Sequence, residues 1–521
     1  MKPRTHPAPH EQPSRSIRFA SNAGWNLLGQ AGLAVLGLAL IPFLVRKLGT
    51  DGYALYCMLG IVGAYLALLS LGATSATLKF VAELTAAGKT AELRGILRTS
   101  LLMHLGGAGS GALAVAFFGG SLATRFFSIP LAWQGPAERL FAYAAAGAVF
   151  MSLNRMGLAI LQGLQKYSLV NAFVLLESAA MLGGSVLLLQ AGKGIVAISA
   201  LFVCIQTLLC IMSLGAASGL LSLWSARDPD DKSCIEHNRK FVKYGLVNFA
   251  GSLAYSIPFQ ADRAFIGYLL PISQLTYYLI PAAIMQKFWV IPGIISNTAF
   301  PLFSELHGRN DQAALRRVYC KCSQLVLWSV LPGFTLLMVV TPQFLTLWLG
   351  PEFSLYGTWP LRFLLLGYLV HFMAAVPGAA ITGTGHLLRY GTAASVAFAS
   401  ACCVFWLFLV PRMGITGAAL GFMLANVIAF VPYIQFTNAR LFGMSFGDYL
   451  EHVLLRPLFA GTSLLLLLWI ARFQLFTWEA LVLYSGTALL VYLALAYWLL
   501  DADGHDILRR IVKAFLKRRP A

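Results

Sequence analysis

Charged side chains are scarce in this chain. They make up 11% of its 521 residues, against roughly 25% in ordinary soluble domains. Hydrophobic residues reach 58%, against roughly 45–50%. A soluble fold could not cover its surface with so little charge, and the same balance excludes intrinsic disorder. Acidic residues are the scarcest: 20 Asp and Glu stand against 38 Lys and Arg, a net charge of +18. That surplus does not point to nucleic acid, because no basic domain, zinc-finger spacing or aromatic-rich basic platform is present. Strand-type alternation is missing too, which excludes an outer-membrane barrel. Gly-rich phosphate loops, HExxH and GxSxG are absent. The chain is therefore expected to be no ATPase and to need no cofactor. The eight cysteines fall in apolar runs or on the basic side, so no disulfide is expected, and Cys320-Lys321-Cys322 lacks the spacing of a metal site.

What the chain does have is apolar runs of membrane-spanning length, about 20 residues each. Fourteen can be read, at about 20–45, 53–72, 97–119, 140–162, 168–190, 194–217, 244–269, 276–303, 322–348, 360–384, 390–411, 415–438, 455–472 and 477–500. The second and thirteenth are the weakest. Short polar or Gly/Pro clusters separate them, such as Gly49-Thr50-Asp51-Gly52 and Ala191-Gly192-Lys193-Gly194. The fold class expected is an all-α integral membrane protein. With the N-terminus inside, 27 Lys and Arg fall on the inner side, 8 on the outer side and 3 within spans. This asymmetry sets both termini in the cytoplasm of a multi-pass protein. The first apolar run is too long for a cleavable signal.

A short repeat lies within the chain. Glu83-Leu84 recurs as Glu305-Leu306, and Ala91, Leu93 and Arg94 recur as Ala313, Leu315 and Arg316, all at one offset of 222. Chance similarity between polar loops is the competing explanation. The hydropathy agrees with a repeat: six runs, a basic stretch, then six more. The expected organisation is a disordered tail at 1–17, an N-lobe at 18–224 and a cytoplasmic linker at 225–243. A C-lobe at 244–440, two extra helices at 441–500 and a basic tail at 501–521 complete it. An offset of six spans makes the halves parallel repeats, and two such lobes can enclose a cavity that opens alternately to either side.

The stretch Leu40–Tyr53 (LIPFLVRKLGTDGY), with Leu71-Gly72 and Val81-Ala82-Glu83, resembles the opening of polysaccharide and O-antigen flippases. These belong to the multidrug/oligosaccharidyl-lipid/polysaccharide exporter superfamily. Gly163-Leu164-Gln165-Lys166-Tyr167 with Asn171, Asp262–Gly267 (DRAFIG) with Tyr277, and Gly385-His386 with Val410–Leu420 (VPRMGITGAAL) resemble the same family in the same order. Thr276 departs from it, where a Gly often precedes the Tyr. The resemblance covers about residues 18–440 and implies a flippase of the bacterial inner membrane. Its substrate would be an oligosaccharide repeat unit on undecaprenyl pyrophosphate. Membrane lipids, a polysaccharide polymerase and glycosyltransferases would be its partners. The alternatives are a peptidoglycan-precursor flippase and a multidrug exporter of the same superfamily. A remoter one is an intramembrane polymerase or ligase, which the longest outer segment (120–139) is poorly equipped to be.

Ionisable groups inside spans are costly and usually face a cavity or each other. Five stand out: Arg155, Glu177, Asp262, Arg263 and Lys287. Lys287 lies near the middle of its run, too deep to snorkel easily. Arg155 is near enough to the cytoplasmic end to do so. Glu177, Asp262 and Arg263 fit either a cavity or pairing between helices. A net cationic cavity would suit a pyrophosphate. Asn26 and Gln30 share one face of the first span, and Asn248 and Gln260 lie in the seventh. The resemblance puts these spans on the cavity, where the amides would meet sugar hydroxyls. Interhelical hydrogen bonding is the other reading. Pro42, Pro258, Pro281 and Pro292 would bend the first, seventh and eighth spans. His104 and His371 are expected to be packing residues.

Overall fold

The structure, a computed structural model, describes residues 15–221, 231–500 and 505, with all their side chains except those of 15–31, 33–34, 67, 221, 231–235 and 250–257. Nearly all of both expected tails and the start of the expected linker lie outside these residues. Among the described residues there is no strand. Ten helical stretches are long and apolar enough to cross a membrane, so the all-α membrane fold read from composition is what the chain adopts. Much of the first and seventh helices is not described in full and does not enter that count.

The chain divides into two compact units, one of residues 1–124 and 130–250, the other of residues 125–129 and 251–521. In the first unit, helix α1 runs over Arg15–Leu68, with Gly49 at φ 71° breaking it where the sequence places a turn. Then come α2 (Ala73–Ala86), α3 (Thr90–Ser121), a π-helical turn (Leu122–Phe126, whose end belongs to the second unit), α4 (Leu131–Gly163), α5 (Tyr167–Gln190) and α6 (Ile195–Leu221). The tight pair is α4 on α6. A Cβ added at Gly157 would lie 2.5 Å from Ser213 Oγ, and Gly147 meets the Phe202 ring. Hydrophobic burial drives nothing between helices in lipid, so small residues that let backbones approach carry such interfaces.

Helix α7 spans Asp231–Leu269. It therefore begins inside the stretch read as a linker. No Gly or Pro interrupts residues 231–244, and the exposed i,i+4 pair Glu236–Lys240, 2.7 Å apart, supports the added turns. Lys240 holds the Glu236 carboxyl below its usual range.

The second unit continues with α8 (Ile272–Phe288), α9 (Val290–Gly308), α10 (Gln312–Leu349), α11 (Pro351–Met373), α12 (Ala375–Thr384) and α13 (Leu388–Phe442). Gly414, at φ 60°, breaks α13 between two straight helices. After it come α14 (Phe446–Tyr449), a π-helical turn (Leu450–Leu454), α15 (Leu455–Ala471) and α16 (Trp478–Leu499). Two breaks have the same cause. Proline clashes with the carbonyl four residues before it. Helix α8 stops at Phe288, four before Pro292, and α11 stops at Met373, four before Pro377. Here Gly367 lets α11 close on Phe422 of α13, and Gly333 lets α10 close on Phe288 of α8.

The repeat is written in the backbone more clearly than in the side chains. The turn between α2 and α3 carries Gly88 at φ 67°; the turn between α9 and α10 carries Asn310 at φ 56°. Lys89 N donates to Leu84 O at 2.9 Å, and Asp311 N to Leu306 O at 3.1 Å. Three more left-handed positions pair up at the offset of 222: Ser128 with Gly350, Gln165 with Leu387, and Gly192 with Gly414. Left-handed backbone costs a non-glycine residue about 1–2 kcal/mol, so four coincidences over 105 residues of chain are not turns of convenience.

Candidate functional site

In the first unit the ionisable residues read from the sequence gather in a polar network between α3, α4, α5 and α6. Gln206 of α6 donates from Nε2 to Glu177 Oε1 of α5 at 2.7 Å. Arg155 of α4 lies within electrostatic reach of that carboxylate, but beyond ion-pair distance. Beside them His104 Nδ1 and Ser152 Oγ are 2.9 Å apart, both buried. His104 Nε2 and Gln206 Oε1 are buried and have no hydrogen-bond partner. Membrane helices keep such groups only where they bond each other or meet water or ligand. Gln206 and Ser152 escaped the sequence reading. A neutral Gln in an apolar run carries no charge to mark it, and its partner sits 29 positions away.

In the second unit Asp262 is buried. Its Oδ1 accepts from the Arg263 amide at 2.8 Å, and its Oδ2 accepts from the Tyr278 hydroxyl at 2.9 Å. The Arg263 guanidinium stays 4.0 Å away and its Nε is buried without a hydrogen bond. Asp262 is thus tied to α8 by Tyr278, the interhelical pairing that was one of its two readings. Tyr277 donates to the Glu352 carboxylate of α11.

Lys287 stands apart from this cluster. It is exposed, in the last turn of α8, directly before the break. Among the described residues no carboxylate pairs with it. The amides fare differently. Asn248 Nδ2 donates to Tyr244 O of its own helix at 2.9 Å, which occupies one of its protons. Gln260 is half-buried. Asn26 and Gln30 lie on α1, but their side chains are outside the described residues.

A cavity of about 370 Å³ opens inside the second unit, between the two proline-broken helix pairs and α13. Trp289, Pro292 and Gly293 line it from the α8–α9 break, and Ala374, Ala375 and Gly378 from the α11–α12 break. Discontinuous helices are where membrane transporters build sites, since irregular backbone is tolerated at membrane depth only around a cavity. His371 forms one wall. Its Nδ1 is 3.0 Å from Asn426 Oδ1, while Asn426 Nδ2 donates to Phe422 O at 2.8 Å. That bond fixes the amide, so its oxygen faces the ring and His371 Nδ1 is the donor. Phe259, Trp289 and Phe430 pack on the ring with centroids 5.1, 5.0 and 4.9 Å away. Ser296, Asn297, Ser395 and Tyr433 supply the remaining polar lining, and among the described residues no carboxylate lines the cavity. His371 does pack, as expected, but at the wall of a cavity. Trp289, Asn297 and Tyr433 were not singled out in sequence, although Lys287 and Pro292 flank Trp289 there.

Comparison with known proteins accords with this architecture. Residues 109–356 match the model of a family described as polysaccharide biosynthesis protein. A putative O-antigen transporter of Shigella flexneri is 21% identical over 434 residues, 82% of this chain and 99% of that one. A solved structure of the lipid II flippase MurJ, in its inward closed conformation, superposes with a TM-score of 0.69 at 14% identity, over 91% of this chain and 98% of that one. An inward-facing multidrug resistance MATE family transporter gives 0.61 at 16% identity, over 78% and 94%. The chain therefore shares the fold of these solved structures and is a multi-pass membrane protein. Both sequence matches, to a polysaccharide biosynthesis family and to an O-antigen transporter, lie on the side of the relatives that the motifs resemble.

Proposed function

We propose that this protein flips an oligosaccharide repeat unit, carried on undecaprenyl pyrophosphate, from the inner to the outer leaflet of the bacterial inner membrane by alternating access. The basic residues concentrated on one side support cytoplasmic termini. The observation that carries the substrate assignment is the cavity in the second unit. It offers aromatic faces, hydroxyls and the Asn297 amide, and no carboxylate among the described residues. Aromatic walls with a few placed polar groups suit sugar rings. A lipophilic cation would call for an acidic lining. Lys287, two residues before Trp289, is the candidate for the phosphate end of the substrate, since an ammonium makes charge-assisted bonds to phosphate oxygens. Arg155 and Arg263 are the further cations of the proposed route, balanced by Glu177 and Asp262. Asn26, Gln30, Asn248 and Gln260 are proposed to meet sugar hydroxyls.

Deleting the gene is expected to remove long-chain surface polysaccharide and to leave susceptibility to cationic drugs unchanged. Gel analysis of the polysaccharide, alongside drug-inhibition curves, checks both. Intact polysaccharide with heightened drug sensitivity would favour the multidrug alternative. Lethality with arrested cell-wall synthesis would favour the peptidoglycan-precursor one.

A further inference from the structure

A second cavity, with lining residues distinct from those of the one between the broken helices, lies in the second unit. It measures about 940 Å³ and is bounded by the start of α10, the end of α13 and the π-helical turn that leads into α15. Arg316, Arg317 and Lys321 project into it from successive turns of α10, and His452 and Arg456 from the turn and α15. Among the described residues Glu451 is the one carboxylate in its lining. Among the described residues, Arg316, Arg317 and Arg456 are left without a close carboxylate. Arg316 reaches Asp448 only at 3.9 Å. Arg456 has the Leu499 carbonyl at 3.5 Å. Arg317 is exposed, and no carboxylate pairs with it among the described residues.

The floor of this cavity is built rather than incidental. Phe442 stacks on the buried Tyr319 ring at 3.9 Å, and the Tyr319 hydroxyl donates to Asn438 Oδ1. Gln324 Nε2 donates to the His452 carbonyl at 2.5 Å, which ties the π-helical turn to α10. Below the ring of cations the surface turns apolar within one turn of helix. Leu325 follows Lys321 on α10, and Phe459 follows Arg456 on α15, both large and exposed.

We propose that this cavity binds the headgroup of an anionic phospholipid, with its acyl chains lying on the apolar surface beside Leu325 and Phe459. The shared chemistry is a phosphate oxyanion held by guanidinium and ammonium groups. Basic pockets between membrane helices hold anionic headgroups in this way. The adjoining apolar belt favours a lipid over a free anion, which would gain nothing from it. A lipid seated there would brace the last two helices, α15 and α16, against α10.

The test uses the full-length protein, delipidated in mild detergent and examined by native mass spectrometry. The probes are phosphatidylglycerol, phosphatidylcholine and inorganic phosphate. Wild type is expected to retain phosphatidylglycerol at least about 10-fold better than phosphatidylcholine, and to lose it as salt is raised. The double variant Arg317→Gln/Arg456→Gln is expected to bind phosphatidylglycerol roughly 30-fold more weakly. Arg317→Lys/Arg456→Lys should keep most of the binding. Equal retention of the two lipids, or retention that ignores salt, would overturn the proposal in wild type alone, whatever the variants do. Inorganic phosphate that competes as well as the lipid would overturn the lipid assignment.

Discussion

Replacing Lys287 with alanine is expected to reduce polysaccharide export at least about 10-fold at equal protein level in the membrane. The magnitude follows from removing one charge-assisted hydrogen bond, worth about 1.5–3 kcal/mol. The position is unusual for its charge. Lys287 is in an apolar run, in the last turn of α8, and has no carboxylate partner among the described residues. A lysine there has two favourable surroundings, the carbonyls at the end of α8 and an anion from outside the protein. The first is structural and should be insensitive to which cation is present. Arginine would satisfy it as well, so Lys287→Arg separates the roles. Arginine keeps charge but changes the shape of the donor. Partial export with arginine and at least about 10-fold less with alanine is the expected pattern, read from complementation of a deletion strain. Normal export with alanine would remove Lys287 from the site.

Replacing Asp262 with alanine is expected to act on stability first. The change orphans the buried Tyr278 hydroxyl and removes the carboxylate nearest Arg263. An unsatisfied buried hydroxyl costs about 1–3 kcal/mol, and the partly buried Arg263 guanidinium loses its nearest carboxylate as well. Asp262→Asn keeps an acceptor for Tyr278 and should lose less. Thermal unfolding of the purified protein in detergent is expected to rank wild type above asparagine and asparagine above alanine. If alanine unfolds with wild type, the pairing of α7 with α8 through this residue is not what holds them.

The contrast between these residues shows what sequence could and could not reveal. Composition and the length of the apolar runs were enough for an all-α membrane fold, because lipid leaves few other solutions. The turns were readable where a glycine or a polar cluster marked them, as at Gly49 and Gly414. The start of α7 was not, since residues 231–244 are polar and hydropathy cannot tell a polar helix from a loop. The repeat showed five identities in sequence, yet its stronger signature was a set of left-handed positions. Three of those are occupied by Ser128, Gln165 and Leu387, residues that announce no such conformation.

The candidate site followed the same division. Charges in apolar runs drew attention to Arg155, Glu177, Asp262, Arg263 and Lys287, but not to their partners. Gln206 and Tyr278 carry no charge, and which helix faces which is a tertiary fact. The cavity at the broken helices was half-visible through Pro292. Pro377 breaks the opposite helix by the same clash with the carbonyl four residues back, and Trp289 and His371 take their place on the wall from those breaks.

The central claim is that this chain moves a lipid-linked oligosaccharide across a bilayer. It is tested most directly by reconstituting the purified protein into liposomes that hold a fluorescent undecaprenyl-pyrophosphate oligosaccharide. A membrane-impermeant quencher or lectin then reports which leaflet the sugar occupies. Wild type is expected to expose sugar from the inner leaflet at a rate well above protein-free liposomes, and Lys287→Ala to fall to near that background. Transfer no faster than in protein-free liposomes, in vesicles shown to contain folded protein, would contradict the account.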